Sequence, residues 1–174
     1  MLMEPKVAIV MGSDSDYPVL EKCIKILKEF NVEVDVTVCS AHRTPDRAAE
    51  YARSAEEKGF NVIIAAAGKA AHLPGVLAAY TVLPVIGLPI QSSTLDGLDS
   101  LLSIVQMPTG IPVATVAING SENAALLAIQ IIGVKYPEMR SKMNQYKENM
   151  KVSVDEKDRK IKEKLRTLLK ASDL

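Results

Sequence analysis

This chain has only two histidines, and each stands in a short run of residues suited to holding a ligand. His42 is followed by Arg43 in Ser40-Ala41-His42-Arg43-Thr44-Pro45. Arginine offers a bidentate fork for phosphate, and histidine can take and return a proton near neutral pH. A lone histidine is more often structural, but two that both fall in ligand-type runs favour a catalytic His42. His72 stands in the run Ala67-Gly68-Lys69-Ala70-Ala71-His72-Leu73-Pro74-Gly75. Small residues there let backbone approach a ligand closely, and a following helix N-terminus favours an anion such as a carboxylate. His72 is placed to orient that group. Lys69 either attracts it or lies in solvent.

A third run, Gly12-Ser13-Asp14-Ser15-Asp16, combines a tight-turn glycine with serine hydroxyls and amides at a helix start. That suits a phosphate, with Asp16 left for a sugar hydroxyl. Alone, the same residues also read as ordinary turn and cap chemistry. The run has neither the dinucleotide fingerprint nor the P-loop pattern. No His, Cys, Asp or Glu cluster has metal-ligand spacing, and no Gly-x-Ser-x-Gly elbow appears. No metal, cofactor or acyl-enzyme chemistry is expected.

These three runs must be brought together by the elements between them. Val7 to Met11 reads as a buried strand, and Asp16 to Phe30 as a helix with Leu20, Cys23, Ile24 and Leu27 on one face. Val32 to Val38 is a second strand. Thr44-Pro45 starts a helix, with threonine as cap and proline in the first turn, and that helix runs to about Lys58 before Gly59. Val62 to Ala66 is a third strand, Ala71 to Tyr80 a helix, and Pro84 to Leu88 a fourth strand. Leu95 to about Val105 is helical, Pro112 to Ala117 is the fifth strand, and Glu122 to Gly133 another helix. Such alternation implies parallel strands with right-handed crossovers. The expected fold is a three-layer αβα sandwich on a five-stranded parallel sheet in flavodoxin-like order. The three polar runs then follow the carboxyl ends of the first three strands, where open sheets bind ligands.

Composition agrees with a single catalytic α/β domain, residues 1–136, followed by a Lys- and Glu-rich helical extension, residues 137–174. In the extension, Met139, Met143, Tyr146 and Met150 recur at helical spacing, as do Ile161, Leu165, Leu168 and Leu169. It packs on its own domain or on a neighbouring subunit. Formal net charge is zero, which argues against nucleic-acid or membrane-surface binding by bulk charge. Cys23 and Cys39 are too few for a disulfide framework and read as reduced, buried thiols. Met1-Leu2-Met3-Glu4-Pro5-Lys6 is not a signal peptide, and no apolar run is long enough to span a membrane. A cytoplasmic location is expected.

The runs quoted above, with Val7-Ala8-Ile9-Val10-Met11, Ser100-Leu101-Leu102-Ser103-Ile104-Val105-Gln106-Met107-Pro108 and Asn123-Ala124-Ala125-Leu126-Leu127-Ala128, closely resemble the PurE family. These are the carboxyaminoimidazole ribonucleotide mutases and carboxylases of purine biosynthesis. The resemblance covers about residues 6 to 150. It implies a homo-octamer whose C-terminal helices embrace neighbours. It also implies roles by matched position: Ser15, Ser40 and Arg43 on the ribonucleotide phosphate, and Ser13 and Asp16 on the nucleotide, Asp16 at the ribose. His42 would be the acid/base, and the segment from Ala66 to His72, leading into Leu73, would surround the imidazole and the migrating carboxylate. Ala-His-Leu-Pro-Gly and Ser-Ile-Val-Gln-Met-Pro resemble the mutase class, which shifts a carboxyl from N5 to C4. Alanine 66 and lysine 69 depart from it, since many mutases have glycine at both positions. The alternatives are a carboxylase using free CO2, a pyridinium-type carboxylase, and a non-catalytic nucleotide-binding module.

Overall fold

A computed structural model describes residues 4–172, with side chains described through residue 169. Met1, Leu2 and Met3 of the N-terminal run lie outside the described residues. Five strands form one sheet: β1 (Lys6–Met11), β2 (Glu33–Val38), β3 (Val62–Gly68), β4 (Val85–Ile90) and β5 (Ala114–Thr115). All pairings are parallel, and the order is β2-β1-β3-β4-β5. Helices α1 (Tyr17–Glu29), α2 (Pro45–Arg53), α3 (Leu73–Tyr80), α4 (Leu98–Val105) and α5 (Ser121–Ile132) cover its two faces, and α6 (Pro137–Ser172) follows. This is the expected three-layer sandwich in flavodoxin-like order.

Side-chain alternation along the strands builds two different cores. Val7, Ile9 and Met11 of β1, with Val62 and Ile64 of β3, face α1 and α5 through Leu20, Cys23, Leu27, Ala125 and Ile129. Ala8 and Val10, with Ile63, Ala65 and Ala67, face α2, α3 and α4 through Ala48, Ala52, Leu77 and Ile104. The second core is rich in alanine, so helices approach the sheet closely there. On α1, Ile26 is buried and Ile24 only partly so. Both cysteines are buried and free, and burial pushes the Cys23 thiol up to about 12, out of the reactive range.

Several boundaries differ from the sequence reading, each for a local reason. The first helix is preceded by a single 3-10 turn, Asp14–Asp16. It ends on Asn31 in the left-handed region (φ +61°), where Val32 N–H donates to Leu27 O in a Schellman closure. Helix α2 stops at Arg53, and residues 54–59 continue as turns up to Gly59. Strands β3 and β4 run two residues further than expected, pairing Ala67 with Pro89 and Gly68 with Ile90. Strand β5 is only two residues long. Val116 N–H still donates to Gly87 O, but the next rung needs an N–H from Pro89, which has none.

Helix α6 is 36 residues, about 54 Å at 1.5 Å per residue. Its first turns pack on the body through Met139, Met143 and Tyr146. Beyond Met150 its apolar residues are exposed, including Val154, Ile161, Leu165 and Leu168. No described helix is long and apolar enough to cross a membrane.

Gly87 lies on β4, beneath α4. A Cβ there would overlap Ile104 Cγ2 and sit 2.9 Å from Val113 Cγ1. Gly87→Ala is therefore expected to destabilise the fold by about 1–3 kcal/mol through overpacking. Urea unfolding should show a lower midpoint at unchanged slope. A midpoint equal to the parent's would mean that α4 moves aside freely.

Candidate active site

The turn after β1 is fixed from within. Gly12 N–H donates to Ala66 O at 3.0 Å, so the chain leaves β1 pressed against β3. Ser13 then forms a capping box: its N–H donates to Asp16 Oδ2 at 3.2 Å, and its Oγ accepts from Ser15 N–H at 3.3 Å. Ser15 Oγ lies 2.9 Å from Ser13 Oγ. The result is a cluster of two hydroxyls, that of exposed Ser15 and that of half-buried Ser13, on a buried carboxylate. Asp16 is only 6% exposed, and its desolvation raises its carboxyl above the usual carboxylate range.

The turn after β2 begins with Cys39 N–H donating to Met11 O at 2.8 Å. Thr44 was expected to cap α2 with its side chain, and it does not. Its hydroxyl donates to Ser40 O at 2.9 Å and accepts from Ser40 N–H at 3.1 Å. Ser40 Oγ in turn accepts from Arg43 N–H at 3.2 Å. These bonds close a small ring of backbone from which the His42 and Arg43 side chains emerge.

The segment after β3 reaches His42 directly. His42 Nε2 and His72 Nδ1 are 2.8 Å apart, with the rings edge to face. One nitrogen donates and the other accepts, so the contact requires one of the two to be unprotonated. With both rings cationic, N–H would face N–H. The pair is therefore built to carry one proton at this contact. Ala67 and Gly68 belong to β3 rather than to the loop, and Lys69 follows with φ +56°.

One cavity of about 720 Å³ joins these segments, within the range that accommodates a nucleotide-sized ligand. Ser13, Ser15, Asp16, Ser40, His42, Arg43, Ala67, Gly68, Lys69, Ala70, His72 and Leu73 all line it. The sequence reading missed a fourth wall: Ile90, Gln91, Ser92 and Ser93, beyond β4. No histidine or charge draws attention to this stretch. Applying the strand-end rule to β4 as to its neighbours finds it. The wall is stapled to the turn after β5. Asn119 Oδ1 accepts from Gln91 N–H and Asn119 Nδ2 donates to Gln91 Oε1, both at 3.0 Å. Gln91 Nε2 donates to Asp96, and Ser92 Oγ donates to the Asp99 carboxylate. Among the described residues no group of three His, Cys, Asp or Glu side chains is arranged to hold a metal.

An imidazole pair, an arginine and a hydroxyl cluster meet at the carboxyl edge of a doubly wound sheet, as in enzymes that bind an anion and move a proton. Comparison with known proteins names the family. Residues 6–153 match the AIR carboxylase family, and the chain belongs to it. It is 61% identical over 160 residues to an N5-carboxyaminoimidazole ribonucleotide mutase of Pyrococcus horikoshii, covering 92% of this chain and 90% of that one. It is 60% identical over 150 residues to a phosphoribosylaminoimidazole carboxylase of Candida albicans, covering 86% of this chain but 26% of that protein. The crystal structure of Treponema denticola PurE superposes with a TM-score of 0.81 at 30% identity, over 90% of this chain and 98% of that one.

Because burial raises the Asp16 carboxyl, its ionised form costs stability above the raised value, and protonation relieves that cost as pH falls through it. Asp16→Asn should therefore melt higher than the parent at neutral pH. The gap should close as pH is lowered below the carboxylate range. A gap that is constant with pH would assign the effect to hydrogen bonding rather than to charge.

Proposed function

We propose that this protein is an enzyme of de novo purine biosynthesis that converts N5-carboxyaminoimidazole ribonucleotide to 4-carboxyaminoimidazole ribonucleotide by carboxyl migration. The observation that carries the reading is the His42–His72 contact in a cavity also lined by Arg43, Ser40 and Ser15. The sequence relationship to free-standing mutases over nearly their whole length supports it.

Arg43, Ser40 and Ser15 hold the phosphate, with the fixed ring of backbone around Ser40 presenting the guanidinium. Asp16 binds a ribose hydroxyl, Ser13 contacts the nucleotide, and Ala67 to Leu73 enclose the imidazole and its carboxyl. His42 then works in both directions. Protonated, it gives its proton to the exocyclic nitrogen as the N–CO2 bond breaks, releasing CO2 and an electron-rich aminoimidazole. Ring carbon C4 attacks that CO2, and neutral His42 removes the C4 proton. Atoms and charge balance, and the imidazole ring supplies the electrons. His72 supports the cycle by accepting or donating at the shared contact as His42 changes state. Keeping CO2 beside C4 makes recombination effectively intramolecular.

The reading extends to assembly and location. The exposed apolar residues of α6 beyond Met150 support a homo-octamer in which this helix packs on neighbouring subunits. The division at residue 137 follows the sheet and its five covering helices, with the first turns of α6 packed on that unit through Met139 and Met143. Two free buried thiols support a cytoplasmic setting.

Three measurements test these points. With N5-carboxylated substrate and labelled bicarbonate, the product should form without label, and His42→Asn should bind nucleotide yet turn over about 10²–10⁴-fold more slowly. Label in the product would indicate a carboxylase, and an unchanged rate would remove His42 from the mechanism. Light scattering should give an octamer of 18.9 kDa chains, reduced to smaller species when the chain is ended at Asn149. A monomeric full chain would refute the assembly.

A further inference from the structure

Four residues other than glycine hold positive φ: Asn31, Lys69, Asp96 and Asn119. Asparagine and aspartate tolerate this region through local hydrogen bonds. Lysine has no such compensation, and Lys69 (φ +56°) is the lysine that lines the cavity. An unfavourable backbone at a ligand site points to a role for the residue that adopts it.

The neighbours say what that role is. A Cβ on Gly68 would lie 3.3 Å from Ile90 O, so position 68 has little room for a side chain. Ala67 and Ala70 carry only methyl groups. Between β3 and His72, Lys69 is thus the one residue able to bring charge to a ligand. Among the described residues it forms no ion pair: those present are Lys6–Glu33, Lys151–Glu148 and Lys162–Asp158. The cavity's carboxylate, Asp16, is already engaged by Ser13 N–H and Ser15 Oγ.

Charge matching completes the case. The nucleotide assigned above carries two anionic groups, a phosphate and a carboxyl, and the cavity is lined by two permanent cations, Arg43 and Lys69. Arg43 is bonded into the Ser40 ring on the phosphate side. Lys69 is in the segment that encloses the carboxyl.

We infer that Lys69 is a specificity-determining residue whose ammonium binds the carboxyl of the carboxylated aminoimidazole and so distinguishes carboxylated from uncarboxylated nucleotide. This rests on the functional reading above. Once the carboxyl leaves as CO2, the anion that Lys69 recognises is gone, so the uncarboxylated ribonucleotide is held by Arg43 and the hydroxyl cluster alone.

Titration calorimetry on the full chain tests this with two probes, 4-carboxyaminoimidazole ribonucleotide and aminoimidazole ribonucleotide. Lys69→Met should weaken the carboxylated nucleotide about tenfold, or about 1.4 kcal/mol, and the uncarboxylated one less than twofold. Lys69→Gly, which accepts the positive φ without strain, should lose the same preference while melting no lower than the parent. Raising salt should shrink the wild-type preference toward that of the variants. Equal loss for both nucleotides, or an undiminished preference in both variants, overturns the Lys69 assignment and leaves the enzyme reading intact. Wild-type protein that binds neither nucleotide overturns both.

Discussion

In a parallel sheet every strand runs out at the same edge, so the residues just past each strand are held as neighbours whatever their separation in sequence. Here that edge gathers Ser13, Ser40, Lys69 and Ser92 from four successive turns. The ladder does more than collect them. Gly12 N–H to Ala66 O and Cys39 N–H to Met11 O are its last rungs, and each turn begins where such a rung ends. The turns therefore inherit the rigidity of a buried sheet, although His42, Arg43 and Lys69 are exposed. Loops positioned by a rigid scaffold are the usual place for binding and catalytic groups.

Across that edge, the link between His42 and His72 joins turns that leave strands on opposite sides of β1. Two imidazoles in direct hydrogen bond share one proton at the contact, one nitrogen donating and the other accepting. A reaction that needs one proton delivered and one removed at the same place suits such a pair, since no net proton enters or leaves the protein over a cycle. The serine–aspartate cluster after β1 follows a different logic. Ser13, Ser15 and Asp16 lie within hydrogen-bond distance of one another, and the hydroxyls need only turn outward to meet a ligand.

The sheet order and the two covering layers were legible because the strands are aliphatic runs separated by helices of clear periodicity. Three of the four turns were legible because their residues are chemically conspicuous: serines with aspartates, a histidine beside an arginine, and a histidine after small residues. The fourth was not, because Gln91, Ser92 and Ser93 are ordinary in type and matter only by where β4 ends. The sequence reading ended that strand at Leu88, two residues early, although Pro89 lies within it. Its missing N–H faces the β5 side, where it shortens β5 and leaves the pairing with β3 intact. Thr44 shows the converse limit. Its type allows a helix cap, but only coordinates reveal that it braces Ser40 instead. The direct contact of the two histidines had no sequence signal, because they are thirty residues apart.

Departures from relaxed geometry are distributed unevenly. Asn31 caps a helix, which is ordinary use of the left-handed region, but Lys69, Asp96 and Asn119 all lie in turns that follow β3, β4 and β5 at the carboxyl edge. Among the described residues, the one buried carboxylate, Asp16, raised by desolvation, is at that same edge. Three of these are held by bonds to their surroundings: Asn119 through Pro89 O and Gln91, Asp96 through Gln91, and Asp16 through Ser13. The two aliphatic cores beneath carry no comparable strain, so the sheet supplies the surplus that keeps the edge in place. Mutations that relax the edge are then expected to raise stability and lower activity together, while mutations in the cores lower stability first. That separation is the physical sense in which this chain has a scaffold and a site.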